Sequence, residues 1–250
     1  MTNREIKMKK TLSVLLLIAL AMGTASATTL HFGTTTANPP FETVNAKNQP
    51  AGFDIDLARA LCKQMQAECT FTPQSFDTLI PALRFKKFDA IIAGIEIVPM
   101  RERRVAFTQP YRQQLSGVVV SAKNSAQGFA DLKGQKIGVA KGSIHQRYLH
   151  DKQKQVSVVA YESDAAAFSA LKEGSVNGVM SDRAGAETWL QENPDYAIID
   201  EQATDAKYYG KQLAIAVRQD DPELLNALNA ALEVVKASPE FGQMEQKWFK

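Results

Sequence analysis

The residues in this chain best suited to chemistry gather in one stretch, Phe88 to Tyr111, FDAIIAGIEIVPMRERRVAFTQPY. An apolar, β-branched run from Ala90 to Ala93 stops at Gly94, and the segment beyond it carries Glu96, Arg101, Glu102, Arg103 and Arg104. A run that short and branched reads as a buried strand. At its end, the missing Cβ of Gly94 lets a ligand come close to the backbone. A planar guanidinium from the following segment would meet a carboxylate with two parallel hydrogen bonds. The chemistry on offer is anion binding. The same residues also read as a solvated charged face running from Arg101 to Arg104, and this stretch alone leaves both readings open.

Two more positions sit where a strand gives way to a helix. Ser143 follows KIGVA, and its hydroxyl with the next N–H groups could hold a carboxylate; it suits a plain N-cap equally well. Asp182 follows VNGVMS and is either a cap or a carboxylate offered to a ligand ammonium at a strand's carboxyl end. The two cysteines, Cys62 and Cys69, are seven positions apart. In an oxidising compartment they are expected as a disulfide joining a helix end to the next strand, with two unlinked thiols as the alternative. The histidines show no metal-ligand spacing: His31 is remote, and His145 and His150 are five apart rather than the helical four.

The elements that must position these residues follow in order. Leu30 to Thr34 reads as a strand leading to a Pro-rich loop, and Asp54 as the N-cap of a helix carrying Ile55, Ala58, Leu61, Cys62 and Met65 at helical spacing. Thr70 to Pro73 is a strand. Ser75-Phe76-Asp77 opens a second helix, in which Pro81 is tolerable only in the first turn. Phe88 to Ala93 is the central strand, and Val105 to Thr108 a short one. Gly117 to Ala122, Lys136 to Ala140, Val156 to Ala160 and Val176 to Ser181 are strands, with helices through Tyr148, from Ala165 to Leu171 and from Arg183 to Leu190. Leu213 to Val217 is a strand, followed by helices from Pro222 to Lys236 and Glu240 to Trp248. Strand–helix alternation predicts parallel βαβ units, and two α/β lobes of similar size fit it better than one large sheet.

At the N-terminus Lys7, Lys9 and Lys10 precede an apolar run, Leu12 to Ala21, and Ala25-Ser26-Ala27 follows it. This is a secretory signal peptide, 1–27, with Met8 as an alternative start; the run is too short to span a bilayer, which needs about 20 residues. The segment holds four of the 29 basic and one of the 27 acidic residues, leaving 25 against 26 in the rest. A nearly neutral mature surface argues against a nucleic-acid partner, which calls for a clustered basic face.

The ordered segments GFDIDLARALCKQM, FDTLIPALRFKKFDAIIAG, PMRERRVAFTQPY and KGQKIGVAKGS, the Asp-Arg after a strand, and the tail PELLNALNAAL…EFGQMEQKWF resemble the polar amino-acid-binding proteins of ABC importers. The likeness covers essentially the whole mature chain and is strongest to arginine-binding members, through AGIEI and KGSIHQRY, with the lysine/arginine/ornithine and histidine binders next. It implies a two-lobe periplasmic-binding-protein fold of type II, α/β, with a ligand cleft between lobes joined by two crossover strands. One lobe would hold 28–113 plus 209–250 and the other 114–208.

The resemblance also implies roles. Arg101 would clamp an α-carboxylate and Asp182 accept an α-ammonium. Ala93 and Gly94 lie in the turn whose backbone meets both groups. Phe76 would be an aromatic wall over the ligand side chain, and Ser143, Ile144 and His145 form the second-lobe turn whose N–H groups reach the carboxylate. Glu96 falls where relatives carry Asp or a hydroxyl residue. Asn38 stands where a tyrosine usually forms the opposite wall, Thr35 where many relatives have an acid, and Ile144 where a threonine is usual. The expected function is a periplasmic binding component that delivers a basic amino acid, most of all L-arginine, to a membrane permease. A monomer without cofactor or catalysis is expected. A binding-fold enzyme of the cyclohexadienyl-dehydratase kind, with His145 or Glu96 as acid and base, and a solute sensor are the alternatives.

Overall fold

The computed structural model describes residues 28–113, 117–123, 125–205, 207–209 and 212–249; the signal segment, 1–27, lies outside them. In the first lobe come β1 (Thr29–Thr34), β2 (Thr43–Val44), β3 (Pro50–Ala51), α1 (Phe53–Gln64), β4 (Glu68–Pro73), α2 (Phe76–Arg84), β5 (Ala90–Ile91), α3 (Pro99–Glu102) and β6 (Ala106–Phe107). A crossing strand β7 (Arg112–Gln113) leads to β8 (Gly117–Ala122), a 3₁₀ turn, β9 (Lys136–Ala140), α4 (Ile144–Lys152), β10 (Ser157–Tyr161), α5 (Asp164–Lys172), β11 (Gly178–Asp182), α6 (Arg183–Leu190) and β12 (Tyr196–Ile198). The chain returns through β13 (Gln212–Leu213) to β14 (Ala216–Val217), α7 (Pro222–Ala237) and α8 (Pro239–Trp248).

Each lobe is built on a five-stranded sheet, ordered β4-β1-β5-β14-β6 in the first and β10-β9-β11-β8-β12 in the second. In both, three strands run parallel, as βαβ units require, and the remaining pairings are antiparallel. Period-2 alternation sends Leu30, Phe32, Ala90 and Ile92 to one core of the first lobe, against α1 and α7. Ile91, Ala93 and Phe88 face the other core, with Leu79 and Leu83 of α2. Burial on both faces explains why these strands read as continuous apolar runs rather than alternating ones. The second lobe repeats the plan, with Val139, Ile144 and Leu149 on one face and Val179, Phe168 and Leu171 on the other.

Cys62 and Cys69 form the disulfide, tying the end of α1 to β4. Trp189 stacks on Phe168 at 4.7 Å, Trp248 donates to Asp56 at 2.9 Å, and Phe249 packs on Phe53 at 5.0 Å, so these aromatics are packing anchors.

Several expectations need correction. Asp54 is not an N-cap: that position is Gly52, and Asp54 lies fully buried inside α1. Pro81 sits past the first turn of α2, and the helix continues through it to Arg84. The expected strand Phe88 to Ala93 pairs only at Ala90–Ile91, because the chain then bends into the turn at Gly94. LAIAV is two strands, not one. Leu213 pairs with Arg112 in the crossing ladder, while Ala216 and Val217 enter the first-lobe sheet between β5 and β6.

Candidate functional site

The carboxyl ends of the parallel strands of both sheets face one another across a cavity, where ligands bind in open α/β sheets. The first lobe lines it with Thr35, Ala37, Asn38, Phe76, Ala93, Gly94 and Glu96. From the second come Ala140, Ser143, His145, Glu162, Ser163, Asp164 and Asp182. The lobes touch at the rim. Lys141 Nζ is 3.0 Å from Asp77 Oδ2, and the Ala165 N–H donates to the Ala37 carbonyl at 3.4 Å. The structure is therefore closed around the cavity.

Gly94 turns with φ +52° and donates its N–H to Asp54 Oδ2 at 2.7 Å. Tyr111 donates to the same oxygen at 2.9 Å. Beside them Glu42 is fully buried and accepts from Thr35 Oγ1 at 3.2 Å. Burial, then the charge of Asp54, pushes the Glu42 carboxyl well above the usual range. Burial and the neighbouring acid thus favour the protonated form of Glu42, while Asp54 takes the two donors just named. This acid pair forms the floor beneath Gly94.

Arg101 lies in the short helix α3 and is buried, whereas Arg103 and Arg104 are exposed. The charged-face reading thus holds for Glu102, Arg103 and Arg104 and fails for Arg101. The Arg101 guanidinium pairs with the Glu96 carboxylate and donates to the Glu96 carbonyl at 3.2 Å. Its central carbon stands 5.1 Å from the centre of the Phe76 ring, a cation–π contact. Phe76 opens α2 and lines the cavity.

On the second lobe, Ser143 caps α4 by accepting from the Gln146 N–H at 3.2 Å and also lines the cavity. His145, in the first turn of α4, is buried rather than on the helix surface, with Nε2 2.9 Å from Asp182 Oδ1 and Nδ1 3.4 Å from the Tyr209 hydroxyl. Burial alone would lower its pKa, but the hydrogen bond and charge of Asp182 outweigh that and raise it. Asp182 is itself raised by burial, against the lowering effect of His145. Burial pushes Asp164 up to about 7, opposed by His145. Glu96, His145 and Asp182 bring one acceptor atom each to within 4.8 Å of one another.

Of the ten expected ligand residues, Asn38, Phe76, Ala93, Gly94, Glu96, Ser143, His145 and Asp182 line one cavity. Arg101 stands directly behind Glu96 and Phe76. Ile144 is the exception: its side chain is buried in the second-lobe core with Val139 and Leu149, so the exchanged side chain at that position does not face the cavity. Sequence reasoning overlooked Glu162, Ser163 and Asp164. Their signal was present, since Ser-Asp after the VVAY strand is a cap at the carboxyl end of a parallel strand, and Ser163 does accept from the Ala166 N–H at 3.1 Å. Glu42 carried no such signal, because nothing in its neighbours marks it as buried.

Residues 30–250 match the family described as bacterial extracellular solute-binding proteins, family 3. The ABC transporter arginine-binding protein 1 of Escherichia coli is 46% identical over 97% of this chain and 99% of its own length. A solved periplasmic binding protein of Salmonella typhimurium, described for its high arginine specificity, superposes with a TM-score of 0.88 at 57% identity, covering 90% of this chain and 100% of that one. An ancestral amino-acid-binding protein described as a precursor of cyclohexadienyl dehydratase superposes at 0.81 with 29% identity, covering 89% and 96%. With two crossover strands joining its lobes and the cavity between them, this chain belongs to the family 3 bacterial extracellular solute-binding proteins.

Proposed function

We propose that this protein binds L-arginine between its lobes, closes on it, and presents it to the membrane permease of an ABC importer. The observation that carries this reading is the charge of the cavity. Glu96, Glu162, Asp182 and Asp164, the last held near half-protonation at about 7, line it with His145, and Arg101 stands behind Glu96. A zwitterion brings one charge of each sign; the acidic excess is matched by a ligand with a second cation on its side chain. The arginine-binding names of the relatives support the same choice.

In this reading Arg101 leaves Glu96 for the ligand α-carboxylate, helped by Ser143 and the first N–H groups of α4 at Ile144 and His145. Asp182 and Glu96 take the α-ammonium at the backbone turn of Ala93 and Gly94. Phe76 and Asn38 flank the side chain, with Phe76 stacking on its guanidinium. Because Arg101 comes from one lobe and Asp182 from the other, gripping one zwitterion couples binding to closure. The lobes are taken as 28–113 with 209–250, and 114–208. The mature chain begins at Thr28, in the periplasm, and works as a monomer that releases its ligand unchanged.

A titration of the mature protein with arginine, lysine, ornithine, histidine and glutamine, read by thermal unfolding, tests this. A ligand at 100 times its Kd adds about 2.7 kcal/mol of stability, and arginine should give the largest rise in Tm. Equal rises with glutamine would refute the electrostatic argument. The His145–Asp182 pair beside Glu96 also suits acid–base chemistry, so cyclic carboxylic acids should be supplied as well. Their turnover would replace the binding reading with the dehydratase one.

A further inference from the structure

The recognition of an ammonium needs acceptors, and carboxylates suffice for it. The cavity adds an imidazole. His145 Nε2, Asp182 Oδ1 and a Glu96 carboxylate oxygen come from three elements, α4, the end of β11 and the turn after β5, and all three residues are buried. The spacing of histidines along the chain gave no hint of this, because the fold joins one histidine to two carboxylates rather than histidines to each other. The other ring nitrogen, Nδ1, lies 3.4 Å from the Tyr209 hydroxyl, and the two rings pack at 5.7 Å. An outer partner of that kind is what fixes ring orientation in metal-ligating histidines. Asp164 lines the same cavity.

We propose that the cleft, when it holds no amino acid, takes one divalent transition-metal ion of the Zn²⁺ class on Glu96, His145 and Asp182. One nitrogen and two oxygen donors with open positions suit Zn²⁺, Ni²⁺ or Cu²⁺, whereas Mg²⁺ and Ca²⁺ prefer oxygen alone. The ion replaces the hydrogen bond between His145 and Asp182, and a carboxylate can serve the Arg101 guanidinium and the ion together. This inference rests on the amino-acid reading in one respect: ion and α-ammonium claim the same Asp182 and Glu96 oxygens, so they exclude each other. Zinc would then act as a competitive inhibitor of amino-acid capture.

The test is calorimetric titration of Zn²⁺ into chelator-stripped mature protein, alone and saturated with arginine, with Mg²⁺ as control and arginine binding measured separately. The expected result is one Zn²⁺ per chain, abolished by arginine, with no Mg²⁺ binding. Tyr209→Phe removes the outer hydroxyl and should weaken Zn²⁺ about 10- to 100-fold; His145→Ala should abolish it, with melting curves checking that each variant is folded. Absence of Zn²⁺ binding overturns the proposal. So does Zn²⁺ binding that survives both His145→Ala and saturating arginine, which would belong to the surface histidines His31 or His150. If arginine fails to bind while Zn²⁺ binds and depends on His145, the amino-acid reading falls and the metal site stands. Arginine binding without Zn²⁺ binding has the opposite meaning.

Discussion

Gly142 offers a way to separate lobe closure from backbone strain. It sits in the turn between β9 and α4 with φ +75°, and a Cβ added there would lie 2.6 Å from Asp77 Cβ and 2.8 Å from Asp77 Cα. Asp77 belongs to the other lobe, so the collision exists only when the lobes are shut. Carbon atoms normally approach to about 3.5–4.0 Å, and the nearer obstacle includes backbone, so the lobes must back off by roughly an ångström. Overpacking of this kind costs about 1–3 kcal/mol, which at 1.4 kcal/mol per tenfold is an increase in arginine Kd of about 5- to 150-fold for Gly142→Ala. Placing a side chain at positive φ costs about a further 1–2 kcal/mol, but it does so with the lobes open or shut and leaves Kd alone. Gly174 supplies the control: its φ is +72° and an added Cβ meets nothing within 4 Å. Gly174→Ala should lower Tm by a similar amount without touching affinity. Calorimetry with arginine on both variants reads the difference. A Gly142→Ala Kd within twofold of wild type would show that closure does not bring Asp77 against this turn.

Other consequences can be measured on the same protein. Asp182→Asn keeps the shape but removes the charge offered to an ammonium, and should weaken arginine by about 10- to 100-fold with the melting curve intact; unchanged affinity would remove Asp182 from the site. Arg101→Ala should lose binding more completely, because the ligand α-carboxylate is left without the guanidinium that clamps it. Glu42 binds its proton more tightly folded than unfolded, where its pKa is near 4.5. Its contribution is therefore favourable below that pH and is lost as pH rises through the folded value. Glu42→Gln should accordingly raise the Tm of ligand-free protein at pH 8, by about 2–4 °C for each kcal/mol recovered, and not at pH 4; equal shifts at both would refute the raised Glu42 pKa. Reducing Cys62–Cys69, whose loop is short, should cost about 2–3 kcal/mol, seen as a lower denaturation midpoint with and without dithiothreitol.

Much of this architecture could be read from residue patterns because parallel strands buried on both faces announce themselves as apolar runs. KIGVA and GVVVSA became β9 and β8 with the expected ends. The site was legible wherever a polar residue ended such a run, as at Ser143 and Asp182. It was obscured where burial is set by distant chain. Asp54 looks like a cap in a list of residues, but Gly94 and Tyr111 arrive from 40 and 57 positions away to bond it. His145 looks like surface until Tyr209 and Asp182 enclose it. LAIAV could not show that its first residue would stay in the crossing ladder while its last two joined a sheet, since the division is imposed by Arg112 on one side and Ile91 on the other.

The position of β14 between β5 and β6 has a consequence for how the protein is made. The first-lobe core contains Leu213, Ile215, Val217, Leu228 and Leu232, all supplied by chain that follows the second lobe. A nascent chain that ends before Gln212 holds every strand of the second-lobe sheet but lacks a middle strand of the first. The second lobe can thus form while the first stays open, its sheet halves unjoined until β14 has been made.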